Sequence, residues 1–406
     1  MQATHSPDPR LYFLDWARIV AFFLLIAYHV GMYYVTWGWH VKSPFASDAI
    51  EGLMMLSSPW RLSLLFLVAG VASRLMLART PPGPFTRRRS WRLLLPLVFG
   101  MLVIVPPQPF CEVIEKFGYT GSYADFLNLY FHNYRGFSTG AGTHLIMPTW
   151  NHLWFVAYLW VYTMLLAGLY RIGGDHWPRW SAAAGRVLTG WRLLLLPAAG
   201  LALMRLALLS GFPVTHALID DWFNHALYVS VFLLGALVAT QAPVWQSMER
   251  LRFTALGIAL TVWALFKIYA SLPDGLVADS TMSWLMPMQR VVYALGQWAA
   301  MVAACGFALR HLNFDSAKRR YLTEAVFPVY IVHQTLIVVM AHYLKPVRFA
   351  PGTEGAILVV LTLCGSFAVF EVVRRVAVLR PLFGLARAHT ELPGHSLRQE
   401  ALAPRA

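Results

Sequence analysis

Charge is scarce in this sequence. Asp, Glu, Lys and Arg make up 13% of its 406 residues, against 58% hydrophobic, where globular domains carry about 25% charged residues. With a mean hydropathy of +0.54, the chain reads as all-α and polytopic, a single membrane domain. Cysteine is nearly absent. Cys111, Cys305 and Cys364 are too few and too scattered for a disulfide framework or a metal site, and no metal is expected. The signatures of soluble enzymes are missing as well: there is no GxSxG elbow, no HExxH, no P-loop and no dinucleotide fingerprint. The net charge of +14 comes without the aromatic interleaving or fold signature of a nucleic-acid binder. No internal repeat stands out, which counts against a repeat-built transporter.

What the chain has is long apolar runs. Ten spans are expected, at about 11–36, 53–78, 93–110, 150–170, 193–211, 222–241, 253–271, 284–309, 323–344 and 355–376. Arginines follow the even-numbered spans, as at Arg79, Arg87, Arg88, Arg89 and Arg92, whereas 212–221 and 272–283 contain no Lys or Arg. The positive-inside rule then puts both termini in the cytoplasm. The first run is far longer than the apolar core of a signal peptide and is expected to remain as a span. Residues 1–380 read as the membrane domain and 381–406 as a loose cytoplasmic tail. The longest outer connection, 111–149, carries Tyr119, Tyr123, Tyr130, Tyr134 and Phe137. Three roles are open to it: a cap on a cavity, a surface for stacking on carbohydrate, or interfacial anchoring.

The first span holds three ionisable residues, Asp15, Arg18 and His29. At about 100° per residue, Arg18 and His29 fall within about 20° of one face, and Asp15 joins the same stripe. Asp15 and Arg18 can pair one turn apart, and His29 lies about 16 Å further along than Arg18. Ionisable groups at membrane depth usually line a polar cavity. A neutral His29 suits proton abstraction from an alcohol during acyl transfer. Other polar residues in or beside spans are His40, Arg61, His152, Arg205, Lys267, Arg290, His333 and Glu371. Lys267, Arg290 and Glu371 read as snorkelling residues or interhelical glue, and His333 as a packed histidine with one hydrogen bond. The arginines at 87–92 suit the phosphates of a nucleotide carrier, anionic lipid, or topology alone.

Several motifs occur in family order. Arg18-x10-His29 resembles the R-x10-H motif of the acyltransferase 3 family of integral-membrane O-acyltransferases. It is preceded by YFLDWAR, from Tyr12 to Arg18. LFLVAG, ending at Gly70, resembles that family's second-helix element, with VAG where ISG is usual. Arg89-x-x-Arg92 with Pro96, His152-Leu-Trp-Phe155, and FPVYIVHQ follow, the last with Gln334 where a second histidine can stand. WHVKSP (39–44), Arg61, YVSVFLLGALVA (228–239) and LNFDSAKRRY (312–321) are similar to the branch that succinylates osmoregulated periplasmic glucans.

The resemblance implies a bacterial inner-membrane enzyme. It would move an acyl group, succinyl or acetyl, from cytoplasmic acyl-CoA to a hydroxyl of a periplasmic glucan or other exported carbohydrate. No tightly bound cofactor is expected. The partners implied are acyl-CoA, the carbohydrate acceptor, the bilayer and glucan-synthesis proteins. His29 is then cast as general base or as carrier of the acyl group, with Asp15 holding Arg18. Arg18, Arg89 and Arg92 are assigned to acyl-CoA, and His40, Arg61, His152, Trp154, Arg205 and His333 to the acceptor or acyl-group pocket. A multi-span transporter or flippase of a polar or glycan substrate is the alternative reading.

Overall fold

The computed structural model describes residues 11–140, 143–271 and 279–386. All ten apolar segments form helices. Helix α1 (Tyr12–Tyr34) is followed by the short α2 (Glu51–Met54) and by α3 (Ser58–Leu77), α4 (Pro82–Phe99), α5 (Pro107–Phe117) and α6 (Tyr123–Phe131). Then come α7 (Trp154–Gly173), α8 (His176–Val187), α9 (Trp191–Leu208), α10 (Trp222–Val238), α11 (Ala242–Ala270), α12 (Asp279–Leu312), α13 (Ala317–Leu344), α14 (Pro351–Arg375) and the short α15 (Leu379–Leu382). Among the described residues, eight helical segments are long and apolar enough to cross a membrane, and the bent pair α4–α5 makes a ninth. The tenth, α10, is apolar over 17 residues.

The third expected span is not straight. It bends by 41° between Ile104 and Pro107, after a π-helical turn over Gly100–Ile104 in which the Val105 N–H donates to the Gly100 carbonyl at 2.8 Å. The sequence dictates the break, because Pro106 and Pro107 lack the N–H groups that would continue the ladder. Helix α5 leaves at a new angle, which carries Gln108 and Glu112 toward α13 and the loop after α1.

Helix α1 is buried along most of its length, and its ends are finished by distant residues. Leu11 offers no side-chain cap; instead Asn313 Oδ1 accepts from the Phe13 N–H at 3.3 Å. At the other end Lys42 Nζ donates to the carbonyls of Met32, at 2.7 Å, and Val35. These are backbone groups that a helix leaves unpaired at its termini.

Helices α3 and α10 meet backbone to backbone. A Cβ on Gly70 would fall on the Phe232 carbonyl oxygen, and one on Gly235 on the Leu67 carbonyl oxygen. Small residues permit this approach where apolar burial gives no net drive, as in lipid.

The aromatic segment 111–149 forms a packed cap. Phe126, Tyr130, Phe137 and Met147 are buried together with Val113, and Tyr130 Oη donates to the carbonyls of Met101 and Thr149 at 2.9 and 3.0 Å. A two-stranded antiparallel ribbon, β1 (Ser138–Gly140) with β2 (Thr143–His144), closes it. Tyr123 and Tyr134 stay exposed.

The chain end departs from the loose tail expected from residue 381. Phe383 and Leu385 are buried, and the Gly384 carbonyl accepts from Arg92 Nε at 3.0 Å. Residues 387–406 lie outside the described residues.

Two stability predictions follow from these contacts. Gly70→Ala forces α3 and α10 apart and costs about 1–3 kcal/mol, read as a lower Tm of the detergent-solubilised protein. Arg319→Ala, which strips Asp15 of a buried partner, costs about 3–5 kcal/mol. An unchanged Tm in either variant contradicts the corresponding contact.

Candidate active site

A cavity of about 1180 Å³ runs the length of α1, from Asp15 in its first turn to Gly38, Trp39 and His40 beyond its last. Twenty-three helical residues span about 34 Å, so the cavity reaches both ends of the bundle. It brings together every residue that the sequence assigns to the site except His333, which stands directly behind its wall.

His29 is placed by α13. His333 Nδ1 lies 2.7 Å from the Tyr330 carbonyl oxygen, which can only accept, so its proton is on Nδ1. His333 Nε2 then accepts from His29 Nδ1 at 2.9 Å. That leaves His29 Nε2 as an unprotonated nitrogen with no protein partner among the described residues. His333 is fully buried and makes two hydrogen bonds, one more than the packed histidine expected. Its second bond selects the tautomer that leaves the lone pair of His29 on Nε2.

A second hydrogen-bond chain sits beside it. His40 Nδ1 donates to Glu112 Oε2 at 2.5 Å, and Gln334 Nε2 donates to His40 Nε2 at 3.2 Å. Gln334 Nε2 also donates to Gln108 Oε1 at 3.0 Å, and Gln108 Nε2 donates to Thr335 Oγ1 at 2.7 Å and faces His152 Nδ1 at 3.5 Å. His152 Nε2 donates to the Ile331 carbonyl at 3.1 Å. Both nitrogens of His40 and of His152 are thus occupied, so these histidines hold the wall in shape. Glu112 and Gln108 carry no signal in the sequence, because only the bend at 104–107 turns them inward.

At the α1 N-terminal end the expected pair forms, and a second, closer one is added. Asp15 reaches Arg18 only at 3.4 Å. Its close partner is Arg319, which is fully buried and also bonds Asp315 at 2.7 Å. Asp15 therefore clamps α1 to α13, and Arg18 is only loosely held. Arg319 lies in LNFDSAKRRY, where spacing along the chain says nothing of a partner some 300 residues away. Arg18, Arg89 and Arg92 line this end of the cavity. Arg89 has no carboxylate partner among the described residues, and its buried Nε has no hydrogen bond.

Arg61 and Arg205 lie nearer His29 along the cavity. Arg61 is buried, with its guanidinium 3.9 Å from the Tyr28 ring centre and a 3.1 Å bond to Ser57 Oγ. Arg205 lies 4.0 Å from the Tyr293 ring centre and donates to Gln297 Oε1 at 2.9 Å. Neither meets a carboxylate among the described residues, and the Nε of each is buried without a partner. Arg290 and Glu371 are outside the cavity. Arg290 bonds Ser210 at 2.7 Å, while Glu371 joins Tyr321, Arg374 and Arg375, the interhelical one of the two roles expected of them.

Two features of the cavity decide what it can hold. Its lining has five arginines against two acids, Asp15 and Glu324, which suits an anionic ligand. Near the α1 C-terminal end it is lined instead by Trp39, Trp150, Trp154 and His216, a surface for an uncharged, ring-bearing molecule. His216 had no signal beyond being a lone histidine in a loop without Lys or Arg.

Comparison with known proteins identifies the family. The model of the acyltransferase 3 domain, described as an acyltransferase domain, matches residues 11–371. Proteins named glucans biosynthesis protein C from Salmonella paratyphi B, Salmonella dublin and Salmonella typhi are 25% identical over 396 residues, covering 93% of this chain and 95% of each relative. No solved structure matches. The family match takes in α1 with His29, the arginines of α4 and the α13 segment that orients the histidine. The chain belongs to the acyltransferase 3 family and is a multi-pass membrane O-acyltransferase.

Proposed function

We propose that the protein transfers a succinyl group from cytoplasmic acyl-CoA to hydroxyls of a periplasmic glucan, across a bacterial inner membrane. The observation that carries this reading is one continuous cavity, with arginines at one end, an unprotonated His29 Nε2 along its course and tryptophans at the other end. The arginine-rich segment ends support a cytoplasmic location for the α1 N-terminus. The names of the Salmonella relatives support a glucan acceptor.

In this reading the phosphates of acyl-CoA bind Arg18, Arg89 and Arg92, and the thioester reaches His29. The acceptor O–H donates to His29 Nε2. As its oxygen bonds the thioester carbonyl carbon, the proton passes to Nε2. The C–S bond then breaks, and the thiolate takes that proton from Nε2 to leave as free CoA thiol. No net proton is gained or lost. While His29 is an imidazolium, its Nδ1–H bond to neutral His333 becomes charge-assisted and strengthens. The same Nε2 is the nucleophile in an acyl-histidine relay, which the hydrogen bond to His333 serves equally well.

A succinyl group brings its free carboxylate into an apolar region, where it needs a cation. Arg61, buried, and Arg205, half-buried, meet no carboxylate among the described residues and supply two. Guanidinium forks favour a carboxylate over the methyl group of an acetyl donor.

The direct test is mass spectrometry of periplasmic glucans from cells lacking the protein, complemented with wild type or with His29→Ala. Succinyl mass should return with wild type and not with the mutant, whose rate should fall roughly 10²–10⁴-fold. Modification that persists with His29→Ala removes His29 as the base. For the donor, Arg61→Ala and Arg205→Ala should each lower succinyl transfer at least about tenfold more than acetyl transfer. Equal losses with both donors contradict the carboxylate assignment.

A further inference from the structure

The loop between α9 and α10 holds His216 in a left-handed backbone conformation, φ +56°, which costs a non-glycine residue energy and persists only when its surroundings enforce it. Here they do. Asp221, fully buried, accepts from the His216 N–H at 3.0 Å, the Thr215 N–H at 3.3 Å, Asn224 Nδ2 at 2.9 Å and Tyr158 Oη at 2.5 Å. Trp150 Nε1 donates to the His216 carbonyl at 3.2 Å. The imidazole lies over Trp154, with ring centres 4.4 Å apart.

All of this fixes the backbone and the ring plane of His216, yet neither ring nitrogen has a partner among the described residues, and the ring lines the cavity. His29 and His216 are the two cavity histidines with a free ring nitrogen; His40 and His152 have none. Burial pushes the His216 pKa below its usual value, opposed by Asp221, which favours the neutral ring. A neutral imidazole offers one N–H donor and one nitrogen acceptor. That pair complements hydroxyl groups, which both donate and accept, rather than an anion.

We propose that His216, set over Trp154 and braced by Asp221, is the acceptor subsite: it hydrogen-bonds sugar hydroxyls of the ring whose reactive hydroxyl is presented to His29. The indole rings of Trp150 and Trp154 supply the apolar wall for the sugar faces. This assignment rests on the carbohydrate-acceptor reading above and adds the residue that recognises the acceptor.

The test uses full-length protein in nanodiscs, with succinyl-CoA as donor and laminaritetraose and maltotetraose as acceptor probes. Ester formation is followed by mass spectrometry, and the KM values for oligosaccharide and donor are determined separately. His216→Ala should raise the oligosaccharide KM roughly tenfold, as expected for loss of a buried hydrogen bond, with the donor KM within about twofold. His216→Asn tolerates the left-handed backbone and keeps a donor and an acceptor, so it should recover part of the loss. It also decides the matter if the alanine variant does not fold. An unchanged oligosaccharide KM, or an equal rise in both KM values, overturns the His216 assignment alone. Thiol release by wild type without ester on either oligosaccharide overturns the carbohydrate reading, and this subsite with it.

Discussion

The hydrogen bond from His29 Nδ1 to His333 Nε2, 2.9 Å long, is the interaction on which the rest of the site depends. It is directional, because the Tyr330 carbonyl has already placed the His333 proton. A single backbone oxygen on α13 therefore decides which nitrogen of His29 is basic. The bond survives only while α1 and α13 keep their register. A slip of one residue moves a side chain about 1.5 Å along the helix and 100° around it, enough to lose the contact. Register is held at the other end by Asp15 with Arg319 and by Asn313 on the Phe13 N–H. Clamp and histidine contact join the same two helices, so the ion pair near one face protects the geometry deep in the bundle.

A membrane enzyme must place charge where charge is costly. Here the cost is distributed. Arg61 and Arg205 lean on tyrosine rings, which stabilise a cation without neutralising it. They stay free to meet a ligand carboxylate. Arg61 stands where it does because Gly70 and Gly235 let α3 settle on α10 without a side chain between them. A glycine contact between backbones thus sets the position of a cation two turns away. The bend at 104–107 works in the same way: two prolines redirect α5, and Glu112 comes within reach of His40.

Sequence and tertiary structure contributed different things. The ten helices, the stripe of Asp15, Arg18 and His29, the arginines of α4 and the ordered family motifs are all legible in the chain. They are properties of local periodicity, of hydropathy and of residue type at short spacing. Read that way, Asp15 has one obvious partner, Arg18, and the structure gives it another 304 residues away. The third span reads as one continuous run, although its prolines announce a break. His216 reads as an unremarkable loop residue, and nothing near it in sequence foretells its backbone conformation.

What the sequence by itself determined is that this is a membrane bundle with a histidine and arginines on one face of its first helix, because a 3.6-residue repeat and a run of apolar side chains are encoded locally. What only the tertiary structure decided is the chemistry of those groups: the tautomer of His29, surroundings of Arg61 and Arg205 that hold no carboxylate among the described residues, and the pinning of His216 over Trp154. Each depends on an atom brought from another helix or loop. How close that atom comes is set by glycine contacts and proline bends, whose consequences appear only when the helices pack.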